Sequence, residues 1–301
     1  MLFLYADENG AMKRTAGLLL FLLISVSCRS RNMDGDKIIS VSIGPFKYFV
    51  EQIAGDNFSV NVMVPAGSNP HIYEPYPDQV NRLRKSVAYI SNGYLGFEIT
   101  WLDRFYEINR NMKKLSLGEV IDPIAHQDHH EANHVEAADP HYWVSPVCAM
   151  KMAASVRDFI IGLDPENSIL YNENYIKLTG RINEVDSMAK KLSSGGVNRK
   201  FMIYHPNLGY LARDYGLEEI AVENEGKEPS PSRLRELIDI AKKESLKVIL
   251  VQREYDTRNA RAIADEAGGR VVVIDPLSED WFASTSEIIK TLEESFRENL
   301  N

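Results

Sequence analysis

Beyond residue 36 the chain alternates between two hydrophobic periods. Runs rich in β-branched and apolar residues at 37–43, 58–64, 87–90 and 114–117 read as strands, the second by alternation of apolar and polar positions. Segments 46–53, 77–86 and 101–110 read as helices, the first set off from its strand by Gly44-Pro45. After a polar stretch the alternation resumes. Strands are expected at 201–204, 247–251 and 270–274, and helices at 232–244, 259–267 and 284–298. Strands that alternate with helices imply parallel βαβ units.

Between the two halves lie two longer helical segments, 145–163 and 166–193, divided by Asp164-Pro165. In the second, Leu170, Tyr171, Tyr175, Leu178, Ile182, Val185 and Met188 fall near helical spacing. At 1.5 Å per residue it spans roughly 40 Å, long enough to join two halves before Ser193-Ser194-Gly195-Gly196 ends it. The expected fold class is therefore α/β, with two similar lobes of parallel sheet joined by one long rigid helix. The expected divisions are 1–36 as leader and tether, 37–164 as the first lobe with an insert at 122–138, 165–194 as the linking helix and 195–301 as the second lobe.

The amino terminus has a different pattern. Lys13-Arg14 precedes an almost wholly apolar run, 15–26, that is too short to span a bilayer comfortably. It reads as a signal peptide, with Met12 as an alternative start to Met1. Ser25-Val26-Ser27-Cys28 resembles a bacterial lipoprotein cleavage box, although Ser25 stands where leucine is usual. Cys28 is thus the expected lipidation site. Its acyl chains would tether the protein outside the cytoplasmic membrane, by a membrane anchor its fold never enters. The other cysteine, Cys148, reads as a small buried hydrophobe.

Composition narrows the picture further. The chain is 44% hydrophobic and 26% charged with a net charge of -9, and the acidic balance argues against a nucleic-acid partner. Four residues stand out as candidate metal ligands. His205 and Asp275 directly follow predicted strands, where open parallel sheets bind ligands. His71 follows a strand through Pro65-Ala66-Gly67-Ser68-Asn69-Pro70, and His141 lies in Asp139-Pro140-His141-Tyr142-Trp143. Two ligands from each half would put the metal in the cleft between lobes.

The flanking sequence identifies a resemblance. Stretches 43–55 and 64–75, Asp139 to Pro146, Tyr204-His205-Pro206 with Gly209-Tyr210, the run 225–231 and Val273-Ile274-Asp275-Pro276-Leu277 occur in order. Together they resemble the zinc/manganese (ZnuA/TroA-like) substrate-binding lipoproteins of bacterial metal ABC transporters. The resemblance runs from about residue 39 to the carboxyl terminus. It implies a metal carried by His71, His141, His205 and Asp275, no enzymatic activity, a monomer, and delivery to a membrane permease driven by a cytoplasmic ATPase. No Walker-type loop occurs in the chain itself. Manganese-type members commonly carry a carboxylate as third ligand; His205 therefore favours Zn2+ over Mn2+ or Fe2+. Gln252-Arg253-Glu254 departs from the Gln-Pro-Gln type of sequence, which puts the cleft lining there in question.

The insert holds His126, His129, His130 and His134. It reads as an auxiliary metal trap or as a solvated loop. His130-Glu131-Ala132-Asn133-His134 also matches the H-E-x-x-H pattern of zinc metalloproteases. That rival lacks the long apolar helix such sites need, since Asp139-Pro140 stops the segment.

Overall fold

The computed structural model describes residues 37–125, 138–194, 199–223 and 226–299. The expected leader, Cys28, and the four insert histidines fall outside the described residues. Two four-stranded sheets organise the rest. The first comprises β1 (Ile38–Ile43), β2 (Ser59–Val64), β3 (Ser86–Ser91) and β4 (Lys113–Ser116), in the order β2-β1-β3-β4. The second comprises β5 (Lys200–Ile203), β6 (Glu218–Ala221), β7 (Val248–Gln252) and β8 (Arg270–Ile274), in the order β6-β5-β7-β8. All neighbouring strands pair parallel, so the two sheets share one topology. The two-lobe α/β expectation holds.

Parallel strands at the centre of such sheets are covered on both faces, and β1 shows how the sequence meets that demand. Ile39, Val41 and Ile43 are buried on one face and Ser40 and Ser42 on the other. The buried hydroxyls are satisfied laterally, Ser40 with Ser86 at 2.8 Å and Ser42 with Tyr89 at 2.9 Å.

Helices α1 (Gly44–Ala54), α2 (Pro77–Leu83) and α3 (Gly96–Ile108) belong to the first lobe. Helix α3 begins five residues earlier than the periodicity suggested, because Phe97 and Glu98 already face inward. Helices α4 (Pro146–Leu163) and α5 (Ser168–Ser194) follow, then α6 (Gly209–Tyr215), α7 (Pro231–Lys243), α8 (Arg258–Ala267) and α9 (Trp281–Glu298). Strand β6 and helix α6 had no clear signal in the sequence. Glu218-Glu219-Ile220-Ala221 is a half-exposed edge strand without an apolar run.

The linking helix α5 buries Tyr171, Leu178, Ile182, Val185, Ala189 and Leu192, a stripe at helical spacing. It packs against α1, α4 and α9. Leu170, expected on that stripe, is exposed instead. One continuous apolar core includes α5, strands of the first lobe, and Phe201, Ile203, Val248 and Leu250 of the second. A second, smaller cluster fills the opposite face of the second sheet beneath α7 and α8.

Two indoles lock the lobes beside the cleft. Trp143 donates its ring N–H to the Pro276 carbonyl at 2.9 Å, and Trp281 donates to the Trp143 carbonyl at 2.7 Å. Both side chains are almost fully buried, with Trp281 against Tyr48 and Phe49. Gly44 admits this closure, since a Cβ there would lie 2.5 Å from the Leu277 carbonyl oxygen.

Glu98 organises the loop after β3. It accepts hydrogen bonds from the Ser42 hydroxyl and from the N–H groups of Asn92, at 2.6 Å, and Gly93. Asn92 in turn holds the Pro140 carbonyl at 2.9 Å and accepts from the Tyr142 hydroxyl at 2.7 Å. Desolvation pushes the Glu98 carboxyl up to about 7, against the pull of its three donors.

Two outcomes are expected. Trp281→Phe leaves the buried Trp143 carbonyl without its donor, so a urea titration should show stability lower by about 2–4 kcal/mol. Glu98 binds its proton more tightly folded than unfolded. Its contribution is therefore complete below its unfolded pKa of about 4.3 and is lost as pH rises through about 7. Metal-free protein should lose up to roughly 3 kcal/mol across that window, and Glu98→Gln should flatten the slope; equal slopes in both proteins would contradict this.

Candidate metal centre

The loop after β2 delivers His71. The Asn69 side-chain oxygen accepts the His71 backbone N–H at 2.9 Å, a local turn that fixes the backbone. The first turn of α3 packs directly on it. A Cβ at Gly96 would lie 2.7 Å from the His71 carbonyl oxygen, so only glycine permits this approach. His141 enters from the segment between the insert and α4 and is 4% exposed. One oxygen of Asp139 accepts both the His141 backbone N–H and its Nδ1–H, each at 2.8 Å. His205 leaves the carboxyl end of β5, and its Nδ1 pairs with the buried carboxylate of Glu223. Its ring stacks on Tyr255 with centroids 4.9 Å apart.

These three imidazoles face one another. Ring centroids are 5.3 Å apart for His71 and His141, 5.1 Å for His71 and His205, and 5.0 Å for His141 and His205. One donor atom from each lies within 4.8 Å of the other two. The Nε2 atoms of His141 and His205 are 3.3 Å apart. A carboxylate on Nδ1 selects the tautomer with the proton there, which leaves the Nε2 lone pair directed into the site. The rings enclose a cavity of about 10 Å3, lined also by Asn207, Glu254 and Tyr255. That is room for one small particle.

Asp275, at the end of β8, is not in this close group among the described residues. Arg253 binds its Oδ2 at 3.3 Å, while its buried Oδ1 has no hydrogen-bond partner among the described residues. Glu254 sits nearby, and burial pushes its carboxyl up to about 7, with the Asp275 charge adding to the rise. Cys148 is buried, as expected, and burial pushes its thiol up to about 11.

Asp139 and Glu223 escaped the sequence reading, as did Glu254 as a wall of the site. Asp139 left a signal, an acidic residue two positions before a histidine across a proline. Glu223 left none, being 18 residues from His205 on another segment. The two ends of the insert are also fixed near the site. Ala125 and Ala138 form an antiparallel bridge. The Tyr210 hydroxyl accepts the Ile124 N–H at 3.1 Å and donates to the Asp139 carbonyl at 2.8 Å.

Comparison with known proteins places this geometry in context. The family model described as "Zinc-uptake complex component A periplasmic" matches residues 39–299. The chain is similar to the zinc-binding lipoprotein AdcA of Streptococcus pneumoniae (strain ATCC BAA-255 / R6), at 28% identity over 280 residues, covering 88% of this chain and 56% of that protein. The chain thus spans little more than half of that longer relative. It is 26% identical over 289 residues to the high-affinity zinc uptake system protein ZnuA of Bacillus subtilis (strain 168), covering 88% and 89% of the two chains. A crystal structure of ZnuA superposes with a TM-score of 0.80 at 34% identity, over 86% of this chain and 99% of that one.

Proposed function

This chain belongs to the family of the periplasmic zinc-uptake component A, and on that premise we propose that it captures Zn2+ with His71, His141, His205 and Asp275 and passes it to an importer. The observation that carries this reading is the convergence of three imidazoles, two of which have their Nδ1 atoms tied to carboxylates. Two nitrogens bound to one zinc ion at about 2.0–2.1 Å, with about 110° between the bonds, lie about 3.3–3.4 Å apart. The His141–His205 Nε2 separation of 3.3 Å matches that requirement. Asp275, whose buried Oδ1 has no hydrogen-bond partner among the described residues, would supply the anionic donor. Three imidazoles and one carboxylate favour zinc over cations that prefer oxygen.

In this reading the protein is a carrier. Four protein donors leave no open position for an activated water, so no hydrolytic step is assigned. Asp139 and Glu223 hold the imidazoles in their binding tautomer and strengthen them as donors. The cleft then presents the cation to a membrane permease powered by an ATPase. Lipidation at Cys28 would keep the carrier at the outer face of that membrane as a monomer. The insert histidines His126, His129, His130 and His134 would serve as an auxiliary trap, joined to His141 through Asp139.

Metal analysis and zinc titration against a chromophoric chelator test the assignment. His205→Ala should abolish tight, stoichiometric zinc binding. Tight binding that persists unchanged in this variant refutes the ligand set. Glu223→Gln keeps the ligands but removes the charge behind one of them, so zinc affinity should fall about 10–100-fold.

A further inference from the structure

One carboxylate lines this cavity, and the fourfold ligand set leaves it without a role. Glu254 follows β7 and lines the cavity with His71, His141, His205, Asn207 and Tyr255. Its Oε2 is buried and has no hydrogen-bond partner among the described residues. The Oδ1 of Asp275 shares that condition. A buried acceptor without a donor costs about 1–3 kcal/mol, more when charged. Such orphans in a native fold call for an explanation, an ion being one. Two orphan carboxylate oxygens beside three converging imidazoles are both satisfied by one divalent cation.

The side chain is also positioned for the task. The neighbouring Tyr255 ring stacks on His205, and Gln252 accepts the His205 backbone N–H at 3.3 Å, so the 252–255 segment is tied to that imidazole.

We propose that Glu254 is an additional carboxylate donor to the captured cation, giving a site of three imidazoles and two carboxylates with a coordination number above four. This rests on the capture reading above. Like Asp275, Glu254 lies outside the group of donors within 4.8 Å, so both carboxylates swing inward when the cation arrives. The consequence is specificity. A second anionic oxygen suits cations that take five or six donors, so the site accepts Mn2+ better than a three-His, one-carboxylate set would.

Cobalt(II) reports coordination number directly, since four-coordinate tetrahedral Co2+ absorbs visible light far more strongly than five- or six-coordinate Co2+. Metal-stripped wild type, Glu254→Gln and Glu254→Asp are each titrated with Co2+ alone. The apo forms are compared by thermal unfolding. Wild type should give the weak spectrum of a higher-coordinate ion and Glu254→Gln the intense tetrahedral one. Glu254→Asp, which keeps a carboxylate on a shorter arm, should return the weak spectrum even if Glu254→Gln fails to fold. Competition between Zn2+ and Mn2+ should show the relative affinity for Mn2+ falling at least about tenfold in Glu254→Gln. An intense tetrahedral spectrum already present in wild type overturns the proposal while leaving zinc capture intact. Identical spectra and identical metal preference in wild type and Glu254→Gln do the same. Failure of wild type to take up either Co2+ or Zn2+ overturns the capture reading and this inference with it.

Discussion

Three imidazole rings converge within a few ångströms of one another, in a cleft with little room for water. Such an arrangement persists only if each ring is held from behind. His141 is held by Asp139, His205 by Glu223 and by its stack on Tyr255, and the His71 backbone by Asn69 and the close approach of Gly96. The convergence therefore depends on groups outside the proposed ligand set. Those groups come from both lobes, so the geometry at the centre exists only while the lobes keep their register.

Register is maintained at two levels. The linking helix α5 contributes one buried stripe to a core shared by strands of both sheets. Closer to the site, the paired indoles of Trp143 and Trp281 cross from one lobe to the other within two residues of His141. Each bond joins an indole N–H to a backbone carbonyl, so a lateral shift would break both and strand buried polar groups. Within the first lobe, Glu98 fastens Pro140, the residue before His141, through Asn92.

Much of this architecture was legible in the sequence because its strands are fully buried and its long helix is periodic. The β-branched runs at β1, β7 and β8 are compelled by burial in parallel sheets, and His205 and Asp275 follow from their places after strand ends. What stayed hidden depended on partners remote in the chain. Strand β6 is a polar edge strand whose pairing with β5 leaves no hydrophobic signature. Glu223 meets His205 only because β6 returns beside β5. Asp275 is the instructive residue. Its position after β8 was readable, but not the fact that Arg253 occupies one of its oxygens and leaves the other buried. The departure at Gln252-Arg253-Glu254 bears on this one place, since it supplies both the cation that binds Asp275 and the carboxylate that faces the cavity.

A tyrosine hydroxyl links the ends of the insert to the site. Tyr210 touches a residue at each end of the insert, Ile124 through its N–H and Asp139 through its carbonyl. Arg213, one turn further along α6, holds the Asp122 carbonyl at 2.8 Å and lies over the Tyr210 ring. Asp139 is at once the foot of the insert and the carboxylate behind His141. The second lobe thus has two separate attachments to the centre, one through His205 and one through the anchorage of Asp139. A displacement of α6 relative to the first lobe would disturb His141 as well as His205, so the two lobes control the same pair of rings from opposite sides.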